Sequence, residues 1–120
     1  MSWEEISNKV DKEIKIGTEV PKAGGGTRKV TKKEGDKIYM RTGVKTNAQK
    51  YTTKNMIKHA YNTISSGRSF TSNDLKSNFS SEFSQGGCVF SMTGGILVFL
   101  DEARRVKKGK KYEYVSKMKK

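Results

Sequence analysis

The stretch ILVFLDEARRVKKGKKYEYVSKMKK, residues 96–120, joins the most hydrophobic segment of the chain to its most basic one. The apolar part belongs to a helix predicted over residues 91–103, in which apolar positions recur every three or four residues. Arg105-Val106 and residues 112–115 read as two short strands, and the KKGKK between them predicts a tight turn at Gly109. The sequence therefore predicts a helix that leads directly into a basic β-hairpin.

Three further helices are predicted upstream of this unit. Residues 3–14 carry apolar side chains on one face of an amphipathic helix. A second helix has Thr52 or Thr53 as its N-cap and ends before Gly67, which suits a left-handed C-terminal position. A third, short helix over residues 72–79 begins at Thr71, where Asp74 completes a variant of the capping box.

A second basic hairpin is predicted near the N-terminus. Residues 27–41 alternate around Glu34-Gly35-Asp36, which form the turn, and residues 21–28 are a loop that contains a triple glycine. We therefore expect an α+β fold in two parts. Residues 1–51 are an extension made of a helix and a basic hairpin, and residues 52–120 are a three-helix unit with a basic hairpin and tail.

The element order of residues 53–116 resembles the winged helix-turn-helix family of DNA-binding domains. The order is a helix, an extended link at Ser69-Phe70, a capped helix, a turn, a third helix and a basic hairpin. The resemblance implies that the third helix packs on the first two and that the hairpin is a wing along the DNA backbone. It also implies that Tyr112 or Tyr114 anchors the wing, and that four wing lysines contact phosphates: Lys107, Lys108, Lys110 and Lys111.

The charge of the chain points to the same class of partner. Its 25 Lys and Arg residues outnumber 12 acids, which gives a net charge of +13. The excess lies in two blocks, residues 22–58 and 104–120, and such blocks favour an anionic partner, with nucleic acid first. Besides the wing lysines, the predicted nucleic-acid-binding residues of these blocks are Arg28, Lys29, Lys32, Lys33, Arg104 and Arg105.

The third helix is a poor base reader. Helices that read the major groove present Arg, Asn or Gln, whereas this one offers Ser91 and Thr93, with Gln85 in the turn before it. We list these three as candidate base contacts. The leading expectation is binding of double-stranded DNA by a small transcriptional regulator or architectural factor. A winged-helix protein-interaction module, an RNA-binding protein and a nuclease or nuclease accessory domain remain alternatives.

The third helix also has more apolar residues than one core face needs. Val89, Phe90 and Leu97 are among those that cannot all point inward with Ile96 and Leu100. Either a homodimer covers the surplus, or the N-terminal helix folds back over it within one chain.

The sequence carries little catalytic chemistry. His59 and Cys88 stand alone, so neither a metal site nor a cofactor is predicted. The GGGTRK of residues 24–29 lacks the spacing of a phosphate-binding loop. Glu13-Ile14-Lys15 has the pattern of a nuclease site but no upstream carboxylate on a separate strand. We expect a protein without enzymatic activity.

The predicted location is the cytoplasm. A single cysteine cannot form an intrachain disulfide. The N-terminus lacks the apolar core of a signal peptide, and the longest apolar run is far too short to cross a membrane.

Overall fold

The computed structural model describes residues 2–41 and 49–117 of the chain. This part forms five helices and six strands of an α+β protein, so the predicted class is confirmed. The elements are α1 (Trp3–Glu13), β1 (Glu19–Pro21), β2 (Thr27–Glu34), β3 (Lys37–Arg41), β4 (Gln49–Thr53), α2 (Lys54–Ser65), α3 (Ser72–Asn78), α4 (Ser80–Phe83), α5 (Cys88–Phe99), β5 (Ala103–Lys108) and β6 (Lys111–Ser116).

Strands β1 to β4 form one antiparallel sheet in sequential order. The predicted hairpin is β2–β3, and Gly35 adopts a φ of 58° in its turn, which glycine does without steric cost. On one side of the sheet Val30, Ile38 and Met40 are buried. Tyr39, between Ile38 and Met40, lies on the opposite, half-exposed side, as expected for an antiparallel sheet packed on one side.

The helix starts follow the predicted capping chemistry. The Thr53 hydroxyl accepts a hydrogen bond from the Met56 N–H, and the Thr71 hydroxyl accepts one from the Asp74 N–H. Gly67 has a φ of 91°, as expected of a residue that follows a helix C-cap. These local signals satisfy backbone groups that a helix terminus leaves without partners.

Helix α5 lies at the centre of the fold, between the sheet, α2 and the β5–β6 hairpin. Every residue from Val89 to Leu97 is buried. A Cβ atom on Gly94 would come within 2.1 Å of the Tyr114 ring, and one on Gly95 within 2.3 Å of the Pro21 carbonyl oxygen. Glycine at these two positions therefore lets β6 and β1 approach the helix backbone.

The predicted bounds of this helix, residues 91–103, are wrong at both ends, because α5 covers Cys88–Phe99. Its C-terminus is a Schellman motif, in which the Asp101 N–H donates to the Val98 carbonyl and the Glu102 N–H donates to the Leu97 carbonyl. Asp101 takes the left-handed position with a φ of 66°. The chain then turns at once, and Ala103 becomes the first residue of β5.

One hydrophobic core runs through both predicted parts of the chain. It contains Ile6, Val20 and Ile38 from the extension as well as Ile57 and Ile96 from the three-helix unit. The expected boundary between residues 51 and 52 falls inside β4. The two segments therefore share a core rather than each having its own.

The apolar surplus of α5 is covered within one chain. Strands β1 and β4 pack on α5, while α1 packs on α2. Among the described residues, the exposed large hydrophobic side chains are Ile16, at 69% exposure, and Phe99, at 38%. The observation that motivated the predicted homodimer is thereby accounted for inside the monomer. None of the helices in the described part is long and apolar enough to cross a membrane.

Candidate nucleic-acid interface

The β5–β6 hairpin, residues 103–116 and hereafter the basic hairpin, carries a cluster of exposed positively charged side chains. Its register pairs Lys107 with Tyr112 and Lys108 with Lys111, and Gly109 has a φ of 63° in the turn. Its six cationic residues are all exposed: Arg104, Arg105, Lys107, Lys108, Lys110 and Lys111. The rest of the predicted basic tail is Lys117, which is exposed, and residues 118–120, which lie outside the described part of the chain.

The charge arrangement at the tip of the basic hairpin is unfavourable for folding. Lys108 and Lys111 lie directly opposite each other, and like charges in cross-strand pairs are destabilising. The one acid of the hairpin, Glu113, approaches Lys108 only to 3.8 Å. The tip of the hairpin thus keeps an excess of positive charge, which an anionic partner would neutralise.

Tyr114 anchors the basic hairpin to the body of the protein. It is 1% exposed, and its ring lies against Gly94 and the rings of Phe70 and Phe90. Its backbone exchanges two hydrogen bonds with Phe70, which forms an isolated antiparallel bridge. Of the two tyrosines expected to anchor the hairpin, Tyr114 is therefore the buried one.

The Tyr114 hydroxyl is buried, and no group in the described part of the chain meets the distance and angles of a hydrogen bond to it, although the Ser91 hydroxyl lies close enough to lower its pKa. Burial raises the pKa of this phenol, and the nearby Ser91 hydroxyl, Arg105 and Arg28 oppose the rise in part. A neutral phenol is therefore the form that the core accommodates.

Two arginines brace the junction between the basic hairpin and the sheet. Arg105 lies over the Tyr112 ring at 5.0 Å and donates to the carbonyl groups of Lys22 and Ala23. Arg28 is half-buried and donates to the Ser91 hydroxyl at 2.9 Å. Burial lowers the pKa of Arg28, although an arginine still remains charged at neutral pH.

A cleft of about 520 Å³ opens beside this junction. The loop between β1 and β2 forms one wall, and the end of α5 with the start of β5 forms the other. Four cations line it: Lys22, Arg104, Arg105 and Lys117. The acid in its lining is Asp101, which is already ion-paired with Lys117. The cleft has the size of a small-ligand site and an excess of positive charge.

The three predicted base contacts do not face outward. Ser91 is buried, and its hydroxyl accepts hydrogen bonds from the Ala23 N–H and from Arg28. Thr93 is also buried, and its hydroxyl lies 2.6 Å from that of Thr52. Gln85 is half-buried and makes two 3.0 Å hydrogen bonds with the Tyr51 backbone. These side chains serve packing and backbone pairing, so their assignment as base readers is corrected.

Of the other predicted cations of β2, Lys32 lies opposite Tyr39 on the solvent-facing side of the sheet. Lys29 and Lys32 are exposed, and Lys33 is half-buried. Lys32 forms a 3.0 Å ion pair with Glu34, which raises the pKa of the lysine and lowers that of the glutamate. This sheet face is separate from the basic hairpin, so the structure divides the predicted set into two surfaces.

Sequence reasoning missed two features of these surfaces. Lys22 and Lys117 belong to the cleft because the β1–β2 loop folds against β5, a contact between distant parts of the chain. Tyr39 and Tyr51 form a pair on the solvent-facing side of the sheet, with ring centroids 5.4 Å apart. Tyr51 precedes a helix cap in a polar segment, and only the β3–β4 register brings it opposite Tyr39.

No group of three or more His, Cys, Asp or Glu side chains that could hold a metal ion occurs in residues 2–41 and 49–117.

Comparisons with protein-family models, with curated proteins and with solved structures found no match.

Proposed function

We propose that this protein binds nucleic acid, with duplex DNA first, through phosphate contacts from the basic hairpin and the adjoining cleft. The observation that carries the proposal is the row of exposed cations on a hairpin that is firmly anchored by Tyr114. Arg104, Lys107, Lys110 and Lys111 form no ion pair with an acid in the described part of the chain. Such a surface releases counterions from DNA when it binds.

The likeness to winged-helix domains supports this proposal. The chain has α2, an extended link that pairs with β6 through Phe70, α3, the short α4, α5 and then a hairpin, and apart from α4 this order resembles that of the family. The proposed wing is the basic hairpin, which would lie along a DNA backbone.

The same arrangement argues against reading of sequence by α5. The helix is buried from Val89 to Leu97, with β1 against Gly95. A helix enclosed in this way has no free face for the major groove. Because phosphate contacts position a protein without identifying bases, we favour a sequence-tolerant architectural role over a site-specific regulator.

The competing functions have weaker support. A protein-interaction module needs an apolar docking face, and α5 is covered within the chain. A nuclease would need Glu13 and Lys15 on a strand near other carboxylates, but Glu13 ends α1 and Ile14 is buried. RNA remains the alternative that shares the phosphate chemistry, and it enters the test as a second probe.

The test is the salt dependence of binding to a labelled 20-base-pair duplex. If five or six cations neutralise phosphates, the slope of log K against log salt should be about −5. Replacing Lys107, Lys108, Lys110 and Lys111 by Ala should bring the slope about 3 to 4 closer to zero and weaken binding to different sequences alike.

The matched control removes the same charge elsewhere, by replacing the exposed Lys12, Lys15, Lys58 and Lys76 with Ala. This control should retain most of the affinity and melt like the parent protein. The hairpin variant should be at least as stable as the parent, because it loses the like-charge pair of Lys108 and Lys111. Equal losses of duplex affinity in the two variants would show that the loss depends on net charge alone, and would contradict an interface on the hairpin. Tighter binding to an RNA duplex of the same length would move the proposal to RNA.

A further inference from the structure

Tyr39 and Tyr51, hereafter the tyrosine platform, lie next to each other on the solvent-facing side of the four-stranded sheet. They are directly paired across β3 and β4, and both are half-buried. Their chain neighbours Ile38, Met40 and Thr52 point into the core. The two rings are tilted by 49°.

Cations surround the platform. Lys32 lies over the Tyr39 ring at 5.4 Å from its centroid, and Lys37 lies over the Tyr51 ring at 4.8 Å. Arg41 follows on the same side of β3 and is exposed. Of the acids nearby, Glu34 is held by Lys32. The platform thus combines aromatic surface with cations within a few ångströms of it.

A purely structural explanation accounts for part of this arrangement. Cross-strand aromatic pairs stabilise antiparallel sheets, and a lysine over an exposed ring gains a cation–π contact. That contact changes an equilibrium only about twofold to fivefold at an exposed site. Stacking of a base on an aromatic side chain changes affinity about fivefold to 150-fold. A base would therefore displace the lysine from the ring with a net gain. The ammonium group of Lys37, which forms no ion pair with an acid in the described part of the chain, would then be available to a phosphate, whereas Lys32 would exchange Glu34 for it.

We propose that the tyrosine platform binds single-stranded nucleic acid, with unpaired bases stacked on Tyr39 and Tyr51 and the backbone held by Lys32, Lys37 and Arg41. A duplex does not fit this chemistry, because its bases are stacked on one another and offer no free face. An acidic peptide would use the cations but would have no use for the paired rings.

The orientation of the rings indicates how the strand lies. The two rings are tilted by 49° to each other. Two bases that stack flat on the two rings would therefore be tilted against each other rather than parallel as in a helical stack. Sequence preference should be weak, since every base has an aromatic face.

This inference goes beyond the proposed function and does not depend on it. The basic hairpin contacts phosphates of a duplex, whereas the platform takes bases from a single strand. The two surfaces together would suit a junction between paired and unpaired nucleic acid. Either surface can fail its test without affecting the result for the other.

The experiment measures binding of labelled 12-nucleotide oligo(dT) and oligo(U), and of the 20-base-pair duplex, by fluorescence anisotropy. Replacing both platform residues, Tyr39→Leu with Tyr51→Leu, should weaken single-strand binding about tenfold to hundredfold and leave duplex binding within about twofold. The matched pair Tyr39→Phe with Tyr51→Phe keeps the rings and should bind single strands like the parent protein.

Single-strand binding that is unchanged in the leucine variant, or undetectable in the parent protein at low salt, would overturn the inference. Because the leucine variant could lose its fold, a second measurement uses the unaltered protein. Photocrosslinking to an oligonucleotide that contains 5-iodouracil should attach at Tyr39 or Tyr51, located by mass spectrometry. Crosslinks found solely at other residues would also overturn it.

Discussion

Gly94 and Tyr114 are in direct contact: the tyrosine ring lies where a side chain at residue 94 would begin. A Cβ atom there would come within 2.1 to 2.4 Å of three ring atoms of Tyr114. This contact joins the central helix to the basic hairpin. The position of the hairpin, and with it the proposed interface, therefore depends on the absence of a side chain at residue 94.

We predict that Gly94→Ala destabilises the protein by about 3 kcal/mol, because a buried ring and a helix backbone must both move to admit the methyl group. Gly24→Ala is the control, since its added Cβ would meet nothing within 4 Å and should change stability by less than about 0.5 kcal/mol. Urea unfolding of both variants measures the difference. Equal stabilities would show that Tyr114 does not pack as described.

Tyr114→Phe should leave the protein equally stable or up to about 1 kcal/mol more stable at pH 7. The change removes a buried hydroxyl that has no hydrogen-bond partner in the described residues. At high pH the stability of the variant relative to the parent protein should increase, because burial raises the pKa of Tyr114 above its ordinary value of 10.0.

The sign of this effect follows from proton binding. The folded protein holds the phenolic proton more tightly than the unfolded chain does, so the associated stability is complete below pH 10 and is lost as pH rises through the raised pKa. The variant lacks this loss. Unfolding midpoints at pH 8, 9.5 and 11 measure it, and a parallel decline in both proteins would contradict the assignment.

Gln85→Ala should cost about 1 to 3 kcal/mol, because it leaves the N–H and the carbonyl of Tyr51 without their partner. Hydrogen exchange at the Tyr51 N–H should also become faster. Asn62→Ala removes an exposed amide on α2 and serves as the control, with little change expected in either quantity. Slow exchange at Tyr51 in the Gln85 variant would refute the role given to this side chain.

Local signals in the sequence were sufficient for much of the fold. The caps at Thr53 and Thr71 and the turns at Gly35 and Gly109 follow from residue chemistry over three or four positions, and all four are confirmed. Long-range contacts were not accessible in this way. The three residues of β1 carry no strand signal of their own, and they become a strand because they pair with β2 and pack on α5.

The candidate site divides along the same line. Clustered charge correctly indicated that the hairpin cations are exposed, since burying several unpaired lysines together would be too costly. Ser91 and Thr93 were named as candidate base contacts because they are polar side chains on an otherwise apolar helix. Their burial depends on β1 and β4, which the sequence did not reveal. The pairing of Tyr39 with Tyr51 likewise depends on strand register.

Residues 52–120 on their own should not fold cooperatively. This fragment spans the elements on which the predicted winged-helix resemblance was based, but it lacks Val20, Val30, Ile38 and Met40, which complete the core. Thermal melting followed by circular dichroism should give a broad transition for the fragment and a sharp one for the full chain. A sharp transition in the fragment would establish an independent domain.

The position of α5 inside the fold also constrains how the chain matures on the ribosome. Strands β1 to β4 are synthesised before residues 88–99, yet in the part of the chain that the structure describes α5 is the helix that packs most extensively on β1 and β4. The apolar side of the sheet therefore cannot be covered by α5 until most of the polypeptide has emerged. The fold can therefore close only once residues 88–99 are free to pack on the sheet.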